Sequence, residues 1–101
     1  MGEWADYCIV AIRYGNSRKE ISHLKVRRDL SSHFGSPETW TKEETRIKIT
    51  DFFRDIITMT YDGENWNKGA KVQAVRIDNN YYLRTNANSI KEDNLGELPE
   101  F

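Results

Sequence analysis

The chain has 101 residues, 15 Lys+Arg against 16 Asp+Glu, and a formal net charge of -1. That length suits one domain over residues 1–101, able to bury about two-thirds of its unfolded surface; 38% hydrophobic and 12% aromatic residues exclude a disordered chain, and balanced charge argues against a dedicated nucleic-acid binder. The lone Cys8 excludes an internal disulfide, no apolar run reaches the ~18 residues of a membrane span, and the acids Glu3 and Asp6 stand where a signal peptide carries bases, so a cytoplasmic protein with no membrane association is expected.

Residues 7 to 14, Tyr-Cys-Ile-Val-Ala-Ile-Arg-Tyr, are almost continuously apolar. Period-two alternation sets Cys8, Val10, Ile12 and Tyr14 on one face and Tyr7, Ile9 and Ala11 on the other. Two apolar faces predict a central strand. Gly15-Asn16-Ser17 supplies turn chemistry. Residues 20 to 28 follow as a half-buried strand, antiparallel to the first. There Leu24 and Val26 share a face with Ser22 and Arg28, while Lys25 and Arg27 share the other with Ile21 and His23. The polar stretch from Asp29 to Glu38 reads as a long loop and a candidate binding element.

Thr41-Lys42-Glu43-Glu44 is a Thr-x-x-Glu capping box that opens a helix. Its two acids complement the positive end of the helix dipole. Thr45, Ile49, Phe52, Phe53 and Ile56 recur at three- and four-residue spacing, which predicts one apolar stripe packed on a sheet. Each buried Phe or Ile is worth about 1.5–3 kcal/mol before entropy. The helical pattern fades near Asp55, and Ile56 to Tyr61 is β-rich. Asp62 to Gly69 reads as a loop opened by an Asp-Gly turn. Lys71 to Ile77 and Tyr81 to Thr85 read as strands joined by a tight turn at Asp78-Asn79-Asn80. An irregular tail follows, with Leu95, Leu98 and Phe101 as its anchors. The order is β-β-α-β-β-β. It predicts an α+β fold with a mostly antiparallel sheet of about five strands and one helix packed on one face.

Three soft metal ligands exist, Cys8, His23 and His33, but no pair has zinc spacing. Neither a metal nor a cofactor is expected. Cys8 inside the most apolar segment reads as a small hydrophobe; the sharper alternative is a dyad of Cys8 with His23 or His33, of which His23 can be brought near by neighbouring strands. The acids Asp62, Glu64, Asp78, Asp93 and Glu97 read as solvated turn residues, with no sign of a catalytic pair. No phosphate-binding Gly-rich loop and no nucleophile elbow occurs. The expectation is a protein that is not an enzyme.

The bases are segregated. Arg13, Arg18, Lys19, Lys25, Arg27 and Arg28 gather on the first hairpin, and Tyr81, Tyr82 and Arg84 lie on the last strand. Arginine clamps anions bidentately and tyrosine offers a stacking face. Arg13, Tyr14, Tyr82 and Arg84 are therefore the candidate ligand-binding residues. The plainer reading is a solvated strand face with ordinary cross-strand pairs. Trp40 and Trp66 read as plugs over the core.

The last third carries a more specific pattern. Tyr81-Tyr82-Leu83-Arg84-Thr85 precedes Asp93-Asn94-Leu95-Gly96-Glu97-Leu98-Pro99-Glu100. Together with Ile9-Val10-Ala11-Ile12-Arg13 and with Trp40 before the helix, it resembles the DUF3892 family of small bacterial and phage proteins of unknown function. The resemblance implies a compact α+β unit and a bacterial or phage origin, and no reaction. Physically, Asn94 can cap a turn and Leu95 and Leu98 can dock in the core, so the motif reads as a structural clasp.

The functional expectation is a small non-catalytic binding module that recognises a protein partner or a second copy of itself, as in a homodimer. The alternative is a binder of a small anionic ligand or nucleotide, such as a sequestering or inhibitor protein.

Overall fold

A computed structural model describes residues 4–16, 20–85, 93–96 and 98–101. Its elements are β1 (Tyr7–Tyr14), β2 (Ile21–Arg28), β3 (Glu38–Thr41), α1 (Lys42–Thr50), β4 (Ile56–Tyr61), β5 (Trp66–Lys71), β6 (Gln73–Ile77) and β7 (Asn80–Arg84). The first five strands form one sheet in the order β3-β2-β1-β4-β5, and β6 and β7 form a separate hairpin.

This is an α+β fold, but the sheet is mixed and not mostly antiparallel, because β1 and β4 run parallel. The reason is the crossover. The chain leaves β1 through β2 and β3, and returns through α1 to the opposite edge of β1, which sets β4 in the same direction. Two edge strands, β3 and β5, fall where the sequence reads as loop. β3 has the β-formers Thr39, Trp40 and Thr41, whereas β5 has a single one, Trp66; pairing with β2 and β4 sets the two in the sheet. Gly69 permits the second pairing, since a Cβ there would collide with Thr58.

The helix starts as the sequence predicts. Thr41 Oγ1 accepts from the Glu44 amide at 3.1 Å, and Glu44 Oε1 accepts from the Thr41 amide at 3.4 Å. It ends early, however, at Thr50 with Asp51 as its C-cap. The predicted stripe breaks there: Thr45 is buried and Ile49 packs on the core, but Phe52 and Phe53 are 59% and 84% exposed. Phe53 takes the left-handed conformation, φ 53°, which ends the helix and turns the chain toward β4. Ile56 is buried, as a β4 residue. The helix is not simply laid on the sheet either. It touches β2 and β3 on one side and the β6–β7 hairpin on the other. The turn in that hairpin is as expected, with Asp78 and Asn79 both at positive φ.

Two β-bulges set the faces. The β1–β2 register slips between Ile9 and Ala11 and again between Arg13 and Tyr14. Val10 is the extra residue in the first slip, so strict alternation fails across it. Tyr7, Ile9, Ile12 and Tyr14 all face the larger core, while Cys8 and Val10 face the smaller one. The predicted face of Cys8, Val10, Ile12 and Tyr14 is therefore split in two. Ser22 plays the same part on β2 and moves Ile21 into the core beside Leu24 and Val26. We call the face of the larger core inner and the other outer.

The inner face is closed by α1, the hairpin and the last segment. Leu83 from β7 and Leu95 and Leu98 from the tail share its core. Asp93, 4% exposed, ties these parts together. Its carboxylate accepts from the amides of Ile21 and Leu83, both at 2.7 Å, and lies 2.9 Å from Lys42 Nζ. Asn94 Oδ1 accepts from the Gly96 amide, the turn cap expected of it. The tail then forms a parallel bridge to β1 at Ile12 and Glu100. There the Ile12 amide donates to the Pro99 carbonyl and the Phe101 amide to the Ile12 carbonyl.

Candidate functional site

The outer face is closed only in part. Cys8, Ile57 and Met59 are buried there beneath Ala5, with Trp4, Val10, Phe34 and Trp66 around them. Beside this apolar island the register places Arg27, Lys25 and His23 of β2 in one row, opposite Cys8, Ala11 and Arg13 of β1. Arg13, Lys25 and Arg27 therefore share the outer face.

These three cations stand over aromatic rings. Phe101 lies between two of them, 4.5 Å from Arg13 Cζ and 4.7 Å from Lys25 Nζ. Arg13 Nε also donates to the Phe101 carbonyl at 2.9 Å. Arg27 Cζ is 5.4 Å from the Trp66 ring. Among the described residues, none of the three is paired with a side-chain carboxylate; the ion pairs there use Lys42, Arg46 and Lys71 instead. A cation on a ring keeps its hydrogen-bonding capacity, so the row presents positive charge on semi-rigid mounts.

The four predicted ligand residues do not form one site. Arg13 is exposed on the outer face, while the adjacent Tyr14 packs against the inner core. Tyr82 is 8% exposed, with Lys42 Nζ 5.2 Å from its ring. Arg84 is only 2% exposed, which removes it as a clamp for a ligand arriving from solvent. Of the predicted basic cluster, Arg18 and Lys19 lie outside the described residues, as does Glu97. Arg28 takes the inner-face register, opposite Tyr7.

Cys8 and His23 share the outer face but not a site. Cys8 pairs with Arg27 and His23 with Arg13, so about 13 Å of strand separates them. His23 Nδ1 is within 3.0 Å of Ser22 Oγ instead. Burial, aided by the nearby Asp29 carboxylate, pushes the Cys8 thiol up to about 12, away from the thiolate. Among the described residues no His, Cys, Asp and Glu group has the makings of a metal site, and no helix is long and apolar enough to cross a membrane.

Clefts open at several places among the described residues, one of about 440 Å³ being lined by Lys42 and Arg46 together with Glu20 and Glu43. Another of about 450 Å³ is lined by Arg28 and Arg54 but also by Asp6 and Asp29, so its charges offset. A smaller one of about 210 Å³ is lined by Trp4, Phe34, Glu64, Asn65 and Trp66. Trp40 is a core plug as predicted, whereas Trp66 is half-buried in this aromatic cluster. Sequence reading missed the cluster because Trp4, Phe34 and Trp66 lie far apart in the chain, with no shared motif.

The fold is thus an α+β unit built on a five-stranded mixed sheet with an added hairpin. The chain belongs to the DUF3892 family, described as proteins of unknown function, whose family model matches residues 8–99. No curated protein and no solved structure matches the chain. The matched span includes both bulged strands and Asp93 of the tail.

Proposed function

We propose that the protein is a non-catalytic interaction module that binds an acidic segment of a partner protein across the outer sheet face. The observation that carries this reading is the row of Arg13, Lys25 and Arg27, three cations mounted on rings without side-chain carboxylate partners among the described residues. Like charges gathered on one face repel one another, and an anionic partner relieves that repulsion. The Trp66–Tyr61 ring pair beside the row supplies apolar contact, with Tyr61 55% exposed. Such rings are common anchors at protein interfaces.

The second reading is self-association, with the acidic segment supplied by another copy. Its support is local: Phe101, following Glu100, already occupies the gap between Arg13 and Lys25. We place the module in a bacterial or phage cytoplasm, where the lone, buried Cys8 needs no oxidising conditions.

The test uses a fluorescent oligoglutamate peptide and an oligolysine peptide of equal length, followed by anisotropy, with light scattering on the protein alone. The first reading expects saturable binding of oligoglutamate only and a monomer in scattering. A dimer that dissociates with salt supports self-association. Equal response to both peptides, or to neither, from a monomer refutes both readings.

A further inference from the structure

The small outer cleft has a chemistry of its own. We propose that the cup of Trp4, Phe34 and Trp66 binds a quaternary ammonium group, with Glu64 as its counter-charge. Three aromatic side chains line the cleft, with ring centroids 5.6 Å apart for Trp4–Phe34 and 6.0 Å for Phe34–Trp66. Aromatic faces carry negative quadrupole potential and attract diffuse cations. Arg27 stands over the Trp66 ring but lies outside the cleft lining, where Glu64 is the charged side chain.

The cup is held from several sides. The Trp4 amide donates to Asp29 Oδ2 at 2.7 Å, and Asp29 forms a bridge with Phe34. Trp66 is fixed in β5, opposite Tyr61. Glu64 is presented by a tight turn: Asp62 Oδ1 accepts from the amides of Glu64 and Asn65 at 2.9 and 2.8 Å, and Gly63 supplies a left-handed residue, φ 100°. Preorganised walls and counter-charge reduce the ordering cost of binding.

Size and polarity narrow the ligand class. The volume of about 210 Å³ is below the ~300–1,000 Å³ of sites for drug-sized molecules, and suits one head group. A primary ammonium needs several hydrogen-bond acceptors to replace its water, and the cup offers few. A trimethylammonium group needs none; its methyl groups pack on the rings while its charge meets Glu64. A neutral apolar group gains nothing from the Glu64 carboxylate, whose attraction acts only on a cation. The head group can come from a free small molecule such as choline, or from a trimethylated lysine on a protein.

The experiment is an NMR titration of the intact protein that follows the indole N–H signals, with Trp40 in the inner core as the internal control. Choline is compared with 3,3-dimethylbutan-1-ol, which has the same shape and no charge. The expected result is saturable movement of Trp4 and Trp66 with choline, no movement of Trp40, and binding of the neutral isostere weaker by about tenfold. Glu64→Gln, at an exposed turn position, is expected to weaken choline by about threefold at unchanged melting temperature. A parallel titration compares a trimethyllysine peptide with its unmethylated form. A peptide that outbinds choline assigns the head group to a protein, and the reverse assigns it to a free molecule. Equal binding of choline and its isostere, or movement of neither Trp4 nor Trp66 with both choline and the trimethyllysine peptide, overturns the proposal.

Discussion

The carboxylate of Asp93, whose side chain has no exposure, lies 2.9 Å from the ammonium of Lys42 at the first position of the helix. It also accepts the amides that begin β2 and lie within β7. One side chain thus joins the last segment, the helix, the main sheet and the hairpin. Replacing Asp93 with Ala leaves two buried amides and an ammonium without their acceptor. The expected loss is about 3–5 kcal/mol in urea unfolding. A loss under 1 kcal/mol would show that the clasp does not hold the fold.

The bulge at Val10 makes a second, sharper prediction. Deleting Val10 removes the extra residue, restores strict alternation and leaves Ile12 and Tyr14 on the inner face in their observed register. The deletion variant is expected to fold, by circular dichroism and NMR dispersion; a variant that does not fold would show that the register is not set by this one extra residue. Val10→Thr, which keeps the bulge at a half-buried position, is likewise expected to fold, with a loss of about 1–2 kcal/mol.

Those two residues also show where sequence legibility stops. The capping box at Thr41, the Asp78-Asn79 turn and the docking of Leu95 and Leu98 depend on local chemistry and were readable in advance. The face of Ile12 was not, because a bulge depends on the partner strand. Phe52 and Phe53 continue a helical apolar period but stay exposed, since the crossover to β4 needs the helix to stop at Thr50. At the outer face the basic residues were visible as a cluster. Their mounting on Phe101 and Trp66 was not, because those contacts join residues far apart in sequence.

Phe53 carries a left-handed backbone with a bulky, 84% exposed side chain. Left-handed geometry costs a residue with a Cβ about 1–2 kcal/mol, and Gly is free of it at some cost in chain entropy. Phe53→Gly is expected to raise the melting temperature by a few degrees, as about 0.5–1 kcal/mol does in a domain of this size. A lower melting temperature would mean that the exposed ring makes a stabilising contact.

Cys8 predicts a loss of stability in alkali. Its folded-state value, about 12, lies above the 9.0 of an unperturbed thiol. The unfolded chain therefore releases the proton first, and this contribution to stability is full below about pH 9 and is lost as pH rises toward 12. Cys8→Ala is expected to flatten that part of the urea-unfolding profile. The native thiol is expected to resist a disulfide reagent at pH 8 until denaturant is added. An equal alkaline loss in the Ala variant would assign it to other groups.

The account rests most on the row of Arg13, Lys25 and Arg27, and the affinity of oligoglutamate for the triple variant Arg13→Glu/Lys25→Glu/Arg27→Glu tests it directly. The expected result is binding weaker by about 10- to 100-fold, as losing three charge contacts at exposed or half-buried positions predicts, with the melting temperature within a few degrees of the parent. Unchanged affinity in a folded triple variant would contradict the assignment of the outer face as the binding surface.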